Sequence, residues 1–290
     1  MRHLTRWPLR SSLTSLGIAM AVAILVSTMF FLDAIEQMID VNFFLAQRQD
    51  LSVTFVEPRQ RRALHEISGL DGVQRGEPFR VVPARLRHGP LSRRQAIVGI
   101  EPGADLHRLI DRQLRPVAIP ERGIVLAAKL AELLDVGLGD RLEVEVLEGQ
   151  RPRRRVPVAA IIEEYIGTSA YMDLGALNRL MGEGAALSGV FLQIDARLEG
   201  PLYRALKQTP LVAAVSSQTS ALESFRKTLA ENLLTMVSFY VLFAALIAFG
   251  VVYNSARVSL SERGRELASL RVMGFSRFEV SYILLGELAV

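Results

Sequence analysis

Residues 232–256 read NLLTMVSFYVLFAALIAFGVVYNSA and contain no Asp, Glu, Lys or Arg. A bilayer core of about 30 Å is crossed by roughly 20 apolar residues in a helix that rises about 1.5 Å per residue. A buried helix of a soluble protein rarely stays apolar over such a length. We therefore predict that residues 232–256 form a transmembrane helix.

A second uncharged run, SSLTSLGIAMAVAILVSTMFFL at residues 11–32, follows a short basic N-terminus with Arg2, Arg6 and Arg10. A cleaved signal peptide is the alternative, but the run is longer than a typical signal core and no small-x-small site follows it. We expect an uncleaved membrane helix. Basic residues precede the run at 11–32, and Arg257 follows the run at 232–256. This predicts that both ends are cytoplasmic and the intervening region extracytoplasmic.

The polarity of the chain changes directly after the run at 232–256, where residues 259–277 read SLSERGRELASLRVMGFSR. Leucines at helical spacing alternate with charged residues, which is typical of an amphipathic helix. Ser259 and Glu262 have the spacing of a capping box, so a helix either restarts there or continues from the membrane helix. Gly274 is suited to end this helix, and Ser276 with Glu279 predicts the start of another.

This segment resembles the cytoplasmic coupling helix of FtsX-like, MacB-type ABC transporter permeases, which carries the run R-E-x-x-x-L-R-x-x-G-x-S. The alternative is an interfacial helix that only anchors the chain. The resemblance implies that the segment docks on a cytoplasmic ABC ATPase subunit. The residues that would contact the ATPase are Glu262, Arg263, Arg265, Glu266, Leu267, Leu270, Arg271 and Gly274.

The region between the membrane helices shows two β-α-β patterns separated by a long insert. The first pattern has a strand at 51–56, a helix at 58–67 and a strand at 72–82; the second has a strand at 188–195, a helix at 200–208 and a strand at 211–216. Two such units predict a split β-α-β module with helices on one face of a sheet. The fold class is thus a membrane protein with α-helical transmembrane segments and an extracytoplasmic α+β domain.

The insert, residues 83–187, is expected to be mostly β and resembles the second subdomain of MacB-type periplasmic domains. We predict strands at 84–87, 95–100, 141–147 and 156–163, helices at 104–114, 127–134 and 173–181, and a turn at 137–140. Residues 151–155, RPRRR, lie at a predicted hairpin tip. They are interpreted as a solvated turn, with contact to anionic headgroups as the alternative.

The chain is therefore divided into eight consecutive segments. These are a cytoplasmic N-terminus (1–10), membrane helix 1 (11–32), a stalk helix (33–50), the extracytoplasmic domain (51–219), a second stalk helix opened by a Ser220/Glu223 capping box (220–231), membrane helix 2 (232–256), the coupling helix (257–275) and the start of membrane helix 3 (276–290).

Composition and motifs argue against several functions. The chain has 290 residues, a formal net charge of +4 and no Cys, so disulfides and thiol chemistry are excluded. Its four His are isolated, and there is neither a phosphate-binding G-x-x-x-x-G-K-[ST] loop nor a G-x-S-x-G motif. No basic motif indicates a nucleic-acid partner. We predict no catalytic, cofactor or metal site, and expect ATP hydrolysis on a separate subunit.

The resemblance implies a permease subunit, or a fragment of one, in an FtsX/MacB-type ABC transporter of the inner membrane. Expected partners are a cytoplasmic ABC ATPase, a second permease in a homo- or heterodimer, and membrane lipid. Small-x-x-x-small patterns at 17–21 and 244–248 agree with packed membrane helices. Family members carry at least four membrane helices, so the chain is expected to be truncated or half of a larger permease. The alternative is a two-helix membrane sensor or adaptor with an extracytoplasmic binding domain; the substrate is left open.

The predicted topology is testable with reporter fusions. A reporter inserted near Gly149 should be extracytoplasmic and one placed after Arg271 cytoplasmic, because the basic flanks of both membrane helices stay on the cytoplasmic side. Alkaline phosphatase and fluorescent-protein fusions at the two sites check this. A cytoplasmic Gly149 reporter would contradict the orientation.

Overall fold

A computed structural model describes residues 8–111, 113–164, 167–262, 272 and 276. The chain divides into two compact units, one formed by Ala34–Lys227 and the other by Met1–Asp33 together with Thr228–Val290. In the described part of the chain, one helical stretch, Gln218–Ile247, is long and apolar enough to cross a membrane, with a mean hydropathy of 1.7. The membrane helix predicted at 11–32 is helical, and its spanning of a bilayer stays a prediction.

The elements follow one another in a mixed order of helices and short strands. The helices are α1 (Pro8–Ile39), α2 (Arg62–Ser68), α3 (Ala128–Leu134), α4 (Leu174–Met181), α5 (Glu199–Gln208) and α6 (Gln218–Glu262). The strands are β1 (Leu51–Gln60), β2 (Val73–His88), β3 (Leu91–Ile100), β4 (Leu109–Ile110), β5 (Pro116–Val117), β6 (Ile124–Ala127), β7 (Arg141–Val146), β8 (Arg153–Ile162), β9 (Ala170–Asp173), β10 (Ala186–Ile194) and β11 (Val212–Ser217). A π-helix, Asp40–Ala46, follows α1, and a 3-10 turn, Ala196–Leu198, precedes α5.

One half of the domain is a four-stranded antiparallel sheet with the strand order β11-β1-β10-β2. The connections β1-α2-β2 and β10-α5-β11 each cross over one strand, which is the ferredoxin-like split β-α-β arrangement. Both helices bury their apolar residues, Leu64 and Ile67 of α2 and Leu202 and Leu206 of α5, in one core with the inner side chains of the sheet. The split β-α-β module inferred from the sequence is therefore present.

The other half is a closed barrel. Strand β2 pairs with β3 along its second half, and residues Ala84 to Arg87 also pair with β7 on the opposite edge. The ring then runs β7-β8-β6-β9 and returns to β3, so all six strands have two neighbours. Apolar side chains of alternating residues, such as Leu86 and Val144, fill the interior together with Leu130 of α3.

Two predicted boundaries on β1 and β2 were wrong. The helix predicted at 58–67 is Arg62–Ser68, because β1 continues to Gln60. Pro58 is tolerated in this strand since it lies within an irregular stretch of the β1–β10 pairing, where the missing N–H costs no ladder bond. The strand predicted at 84–87 is the second half of β2, so no boundary separates the insert from the module at residue 83.

The helix predicted at 104–114 is absent from the described residues of that segment. The segment is mostly irregular and pairs its short strand β4 with β5. Leu106 and Leu109 are buried against Phe79 and Phe191 of the sheet, so they do have the apolar role that their spacing suggested. Long-range packing on the sheet here overrides a helical pattern that was only local.

The stalk predictions also differ from the structure at their boundaries. The first ends at Ala46, where the π-helix stops, and not at residue 50. The second stalk helix begins at Gln218 and not at Ser220. Ser217 accepts the hydrogen bond at the start of this helix: the backbone N–H of Ser220 donates to the Ser217 hydroxyl at 3.5 Å. Helix α6 then continues without a break through Ser259 to Glu262. Of the two alternatives, a new helix at Ser259 or a continuation of the membrane helix, the structure has the continuation.

Gly189 of β10 permits the closest backbone approach in the sheet. A Cβ atom there would lie 2.1 Å from the carbonyl oxygen of Val53 and 2.5 Å from the ring of Phe79. We expect Gly189→Ala to destabilise the domain by roughly 3 kcal/mol, because neither the backbone nor the ring can move freely. Gly200→Ala on α5, with nothing within 4 Å, is the matched control and should leave stability unchanged or slightly raised. Thermal melting of the purified variants measures both, and equal melting temperatures would contradict the prediction.

Candidate functional site at the junction of the helical extensions

The residues predicted to bind the ATPase lie almost entirely outside the described part of the chain. Arg263, Arg265, Glu266, Leu267, Leu270, Arg271 and Gly274 are outside it. Glu262 is the last residue of α6. What the structure does bring together is the opposite end of this long helix, where α6 and the extension of α1 meet the sheet.

Asp50 is the centre of this junction. Its backbone N–H donates to the carbonyl of Leu192 at 2.8 Å, and its own carbonyl accepts from the N–H of Gln218 at 2.9 Å. Its side-chain oxygen Oδ2 accepts a further hydrogen bond from the N–H of Ile194 at 2.8 Å. One residue thus ties the start of α6 to the end of strand β10 on either side of β1.

Gln218 links the two helical extensions directly. Its side-chain amide Nε2 donates to the carbonyls of Phe43 at 3.3 Å and Gln47 at 3.4 Å, at the end of the π-helix. The rings of Phe43 and Phe225 lie 5.6 Å apart, which adds an apolar contact between the same two elements. A π-helix widens the backbone spiral and is frequently found at functional sites.

The chain after the π-helix is also bound to the segment that leads into β4. The N–H of Arg48 donates to the carbonyl of Leu106 at 2.7 Å, and the N–H of Arg108 donates to the carbonyl of Ala46 at 2.8 Å. The side chains of Arg48 and Asp105 form an ion pair at 2.9 Å. The extension of α1 is therefore held by both halves of the domain.

The carboxylate of Glu77 on β2 holds the segment before β4 in place. Both of its carboxylate oxygens accept from the N–H of Asp105, at 2.9 and 3.0 Å, and one accepts from the N–H of Leu106 at 2.8 Å. Arg75 pairs with the same carboxylate at 2.8 Å. A buried carboxylate needs such partners, because burial of an unpaired charge costs several kcal/mol.

A cavity of about 180 Å³ lies beside the junction. Its lining residues are Val41, Asn42, Ala46, Gln47, His107, Arg108, Ile110, Glu164, Ser169 and Tyr171. His107 stacks on Phe191 with 5.0 Å between ring centroids, and burial lowers its pKa to about 4. The imidazole of His107 is therefore neutral near pH 7.

The carboxyl of Glu164 has the opposite shift. Burial raises the pKa of Glu164, and the nearby hydroxyls of Tyr171 and Ser169 partly offset that rise by hydrogen bonding. Burial and the neighbouring Glu164 also raise the pKa of Tyr171. In the described residues no group of three or more His, Cys, Asp or Glu is arranged to hold a metal ion.

Sequence reasoning did not find Asp50, Glu77 or Gln218. Each is a single polar residue at the edge of an apolar pattern, and its partners lie far away along the chain. For Asp50 and Glu77 the local signal was an isolated acidic residue directly before or inside a predicted strand, which does not reveal where its hydrogen-bond donors lie. Gln218 had no such signal.

Comparison with known proteins agrees with this architecture. The family model described as MacB-like periplasmic core domain matches residues 11–200, more than half of the chain. The model described as FtsX-like permease C-terminal matches residues 238–290. No curated protein matches the chain.

Two solved structures are similar to the chain. One is the extracellular domain of the noncanonic ABC-type transporter YknZ from Gram-positive bacteria, with 17% identity, a TM-score of 0.42, and coverage of 58% of this chain and 98% of that chain. The other is the periplasmic region of MacB from Actinobacillus actinomycetemcomitans, with 10% identity, a TM-score of 0.41, and coverage of 64% of this chain and 96% of that chain.

The fold and the family matches define a membrane-associated protein with an extracellular α+β domain. The chain belongs to the MacB-like periplasmic core domain family, and it is an FtsX/MacB-type ABC transporter permease component.

The buried His107 predicts a pH dependence of stability. Its pKa is about 4 in the folded state and 6.5 in the unfolded state, so between these values the unfolded chain binds a proton that the folded chain does not. Protonation of His107 in the unfolded chain therefore lowers the free energy of unfolding by roughly 3 kcal/mol as the pH falls from 6.5 to 4. We expect His107→Phe to remove that loss, as judged by denaturant unfolding at both pH values.

The raised pKa of Glu164 has the opposite effect on stability. Above about pH 4.5 the unfolded chain has lost the Glu164 proton while the folded chain still holds it, so this group stabilises the fold as the pH falls. Glu164 is present in both proteins, so its contribution cancels when the free energy of unfolding of His107→Phe is subtracted from that of the wild type. The exposed His65 provides the matched control, because His65→Phe leaves the cavity intact. If His107→Phe kept the wild-type pH profile, the assignment would be wrong.

Proposed function

We propose that the chain receives ATP-driven motion from a separate cytoplasmic ABC ATPase and transmits it to its extracellular domain. The work done there would be export, extraction of lipids or lipoproteins, or remodelling of the envelope. The observation that carries this proposal is the continuity of α6, which runs for 45 residues from the junction to Glu262. The FtsX-like match then covers residues 238–290, which include the segment predicted to bind the ATPase.

Helix α6 is suited to carry a displacement over a long distance. At about 1.5 Å per residue it is roughly 68 Å long. It contains no Pro, the residue that most often kinks a helix, and its single Gly is Gly250. We therefore propose that α6 passes a movement from its cytoplasmic end toward Gln218.

The junction would convert that displacement into a movement of the domain. Gln218 is bonded to the end of the first extension, and its N–H is bonded to Asp50 at the start of β1. A shift of α6 would thus act on both halves of the domain, because Asp50 contacts the sheet and Arg48 contacts the segment before β4. The π-helix, Asp40–Ala46, is the element that we expect to rearrange when such a shift occurs.

The assembly we propose is a multi-pass permease in the inner membrane that pairs with a second permease and with a cytoplasmic ATPase. Residues 257–275 would lie in a groove of the ATPase, as amphipathic helices do on partner proteins. Leu267 and Leu270 would fill that groove, while Glu262, Arg263, Arg265, Glu266 and Arg271 would orient the helix and Gly274 would end it. The sensor alternative is less favoured, because the second family match describes a permease segment.

The test exchanges two charges of the coupling segment. Glu266→Arg combined with Arg271→Glu should uncouple the ATPase, because both charges would then face the wrong partner. We expect at least a tenfold loss of permease-dependent ATPase stimulation in reconstituted complexes, with normal expression and membrane insertion. The purified chain alone should neither bind nor hydrolyse ATP, because it has no phosphate-binding loop.

The matched control exchanges the ion pair Arg62 and Glu66 on α2, which are 2.9 Å apart and exposed. Arg62→Glu with Glu66→Arg keeps net charge and pairing, and it should leave stimulation unchanged. An anchoring helix would tolerate the Glu266 and Arg271 exchange, since membrane association depends on its Leu and Arg. Full ATPase association and full stimulation in that variant would refute the coupling role.

A further inference from the structure

The outer face of the barrel carries two rows of polar side chains across strands β3, β2, β7 and β8. The strand register places in the first row, in that order, Arg94, Arg85, Glu145 and Arg153. It places in the second row Ser92, Arg87, Glu143 and Arg155. We call the five arginines of these rows, Arg85, Arg87, Arg94, Arg153 and Arg155, the arginine array.

The alternation of the strands shows that these side chains point away from the core. Leu86, between Arg85 and Arg87, is fully buried inside the barrel, and so is Val144 between the two glutamates. Neighbouring residues of a strand face opposite sides. All eight positions of the two rows therefore lie on one surface, and none of them is apolar.

The array has more positive than negative charge. Glu145 alone pairs with three of the arginines, at 3.2 Å from Arg85, 3.3 Å from Arg87 and 2.8 Å from Arg153. Among the described residues, no carboxylate lies within ion-pair distance of Arg94 or Arg155. Two glutamates face five arginines, so the surface keeps a net positive charge while the chain between the membrane helices is neutral overall.

The pair Arg85 and Arg94 is unfavourable in the isolated domain. The two residues are directly opposite each other on adjacent strands, and like charges in that position repel each other. The outward direction of both side chains means that packing of the core does not demand arginine there. An anion held between the two guanidinium groups would turn this repulsion into attraction.

We propose that the arginine array binds an extended acidic segment of a partner protein. Along β2, Arg85 and Arg87 are two residues apart, or about 6.8 Å, and Arg153 and Arg155 repeat that spacing on β8. A peptide in an extended conformation with an acidic residue at every second position has the same repeat. Guanidinium groups bind carboxylates in a bidentate manner that lysine cannot reproduce, and every basic residue of the two rows is an arginine.

A protein segment fits this surface better than a bilayer does. Surfaces that bind membranes combine basic residues with apolar side chains that enter the headgroup region, and the two rows contain none. The array also lies well away from the junction. Val73, at the start of β2, pairs with Ile194, whose N–H is bonded to Asp50 of the junction. Arg85 lies about 40 Å from Val73, counted along the same strand. Binding at the array is thus independent of the proposed transmission by α6.

The test uses the whole chain in zwitterionic nanodiscs and two fluorescent octapeptides of equal composition. One alternates Glu with Thr, and the other has four Glu followed by four Thr. We expect the alternating peptide to bind at least fivefold more tightly than the block peptide, and its affinity to fall steeply with salt. Arg85→Gln with Arg94→Gln should weaken the alternating peptide at least tenfold, as measured by fluorescence anisotropy.

The matched control, Arg62→Gln with Arg204→Gln, removes two exposed positive charges from α2 and α5 and should change the affinity less than twofold. Circular dichroism melting verifies that both double variants stay folded. An equal loss in the control would show attraction by net charge alone and would overturn the proposal. Equal binding of the block peptide would overturn it too, and so would binding of phosphatidylglycerol vesicles in place of the peptide.

Discussion

The pairing of strand β2 is the constraint on which the domain depends. Its 16 residues pair with β10 at one end and with β3 and β7 at the other, so one continuous backbone belongs to both the sheet and the barrel. Arg80 is buried where these two halves meet and contacts Glu148 of the barrel side and Glu183 near β10, at 2.5 and 3.1 Å. Loss of either carboxylate would leave a buried charge poorly paired, which is strongly destabilising. The two halves therefore behave as one body.

That rigidity gives the junction its significance. A body with a shared central strand moves as a whole when force is applied at one point, and Asp50 and Gln218 are where both helical extensions contact it. Some of the hydrogen bonds there join two backbone groups, which side-chain substitutions cannot remove. The others are made by the side chains of Asp50 and Gln218. The π-helix between α1 and β1 is the least regular element at that point, so we expect conformational change to concentrate there.

Much of the fold was predictable because its signals are local. Alternating residues indicated β7 and β8, and the split β-α-β order appeared in the spacing of strands and helices. The failures have causes that no local pattern shows. The segment at 104–114 has helical spacing, yet Glu77 holds two of its N–H groups in an extended loop from 28 residues away. Pro58 looked like a helix start and instead sits in an irregular strand.

The sequence by itself determined the uncharged apolar run at 232–256, the charge change after it and the alternation of the strands, since each depends on neighbouring residues and a fixed period. Only the tertiary structure decided the closure of the barrel, the hydrogen bonds of Asp50 and Gln218, and the rows that place Arg85 opposite Arg94. Those features depend on strand register and on contacts between residues far apart in the chain. A one-residue shift of any one of these strands would turn its own arginines to the other face, and no local pattern states which strand pairs with which.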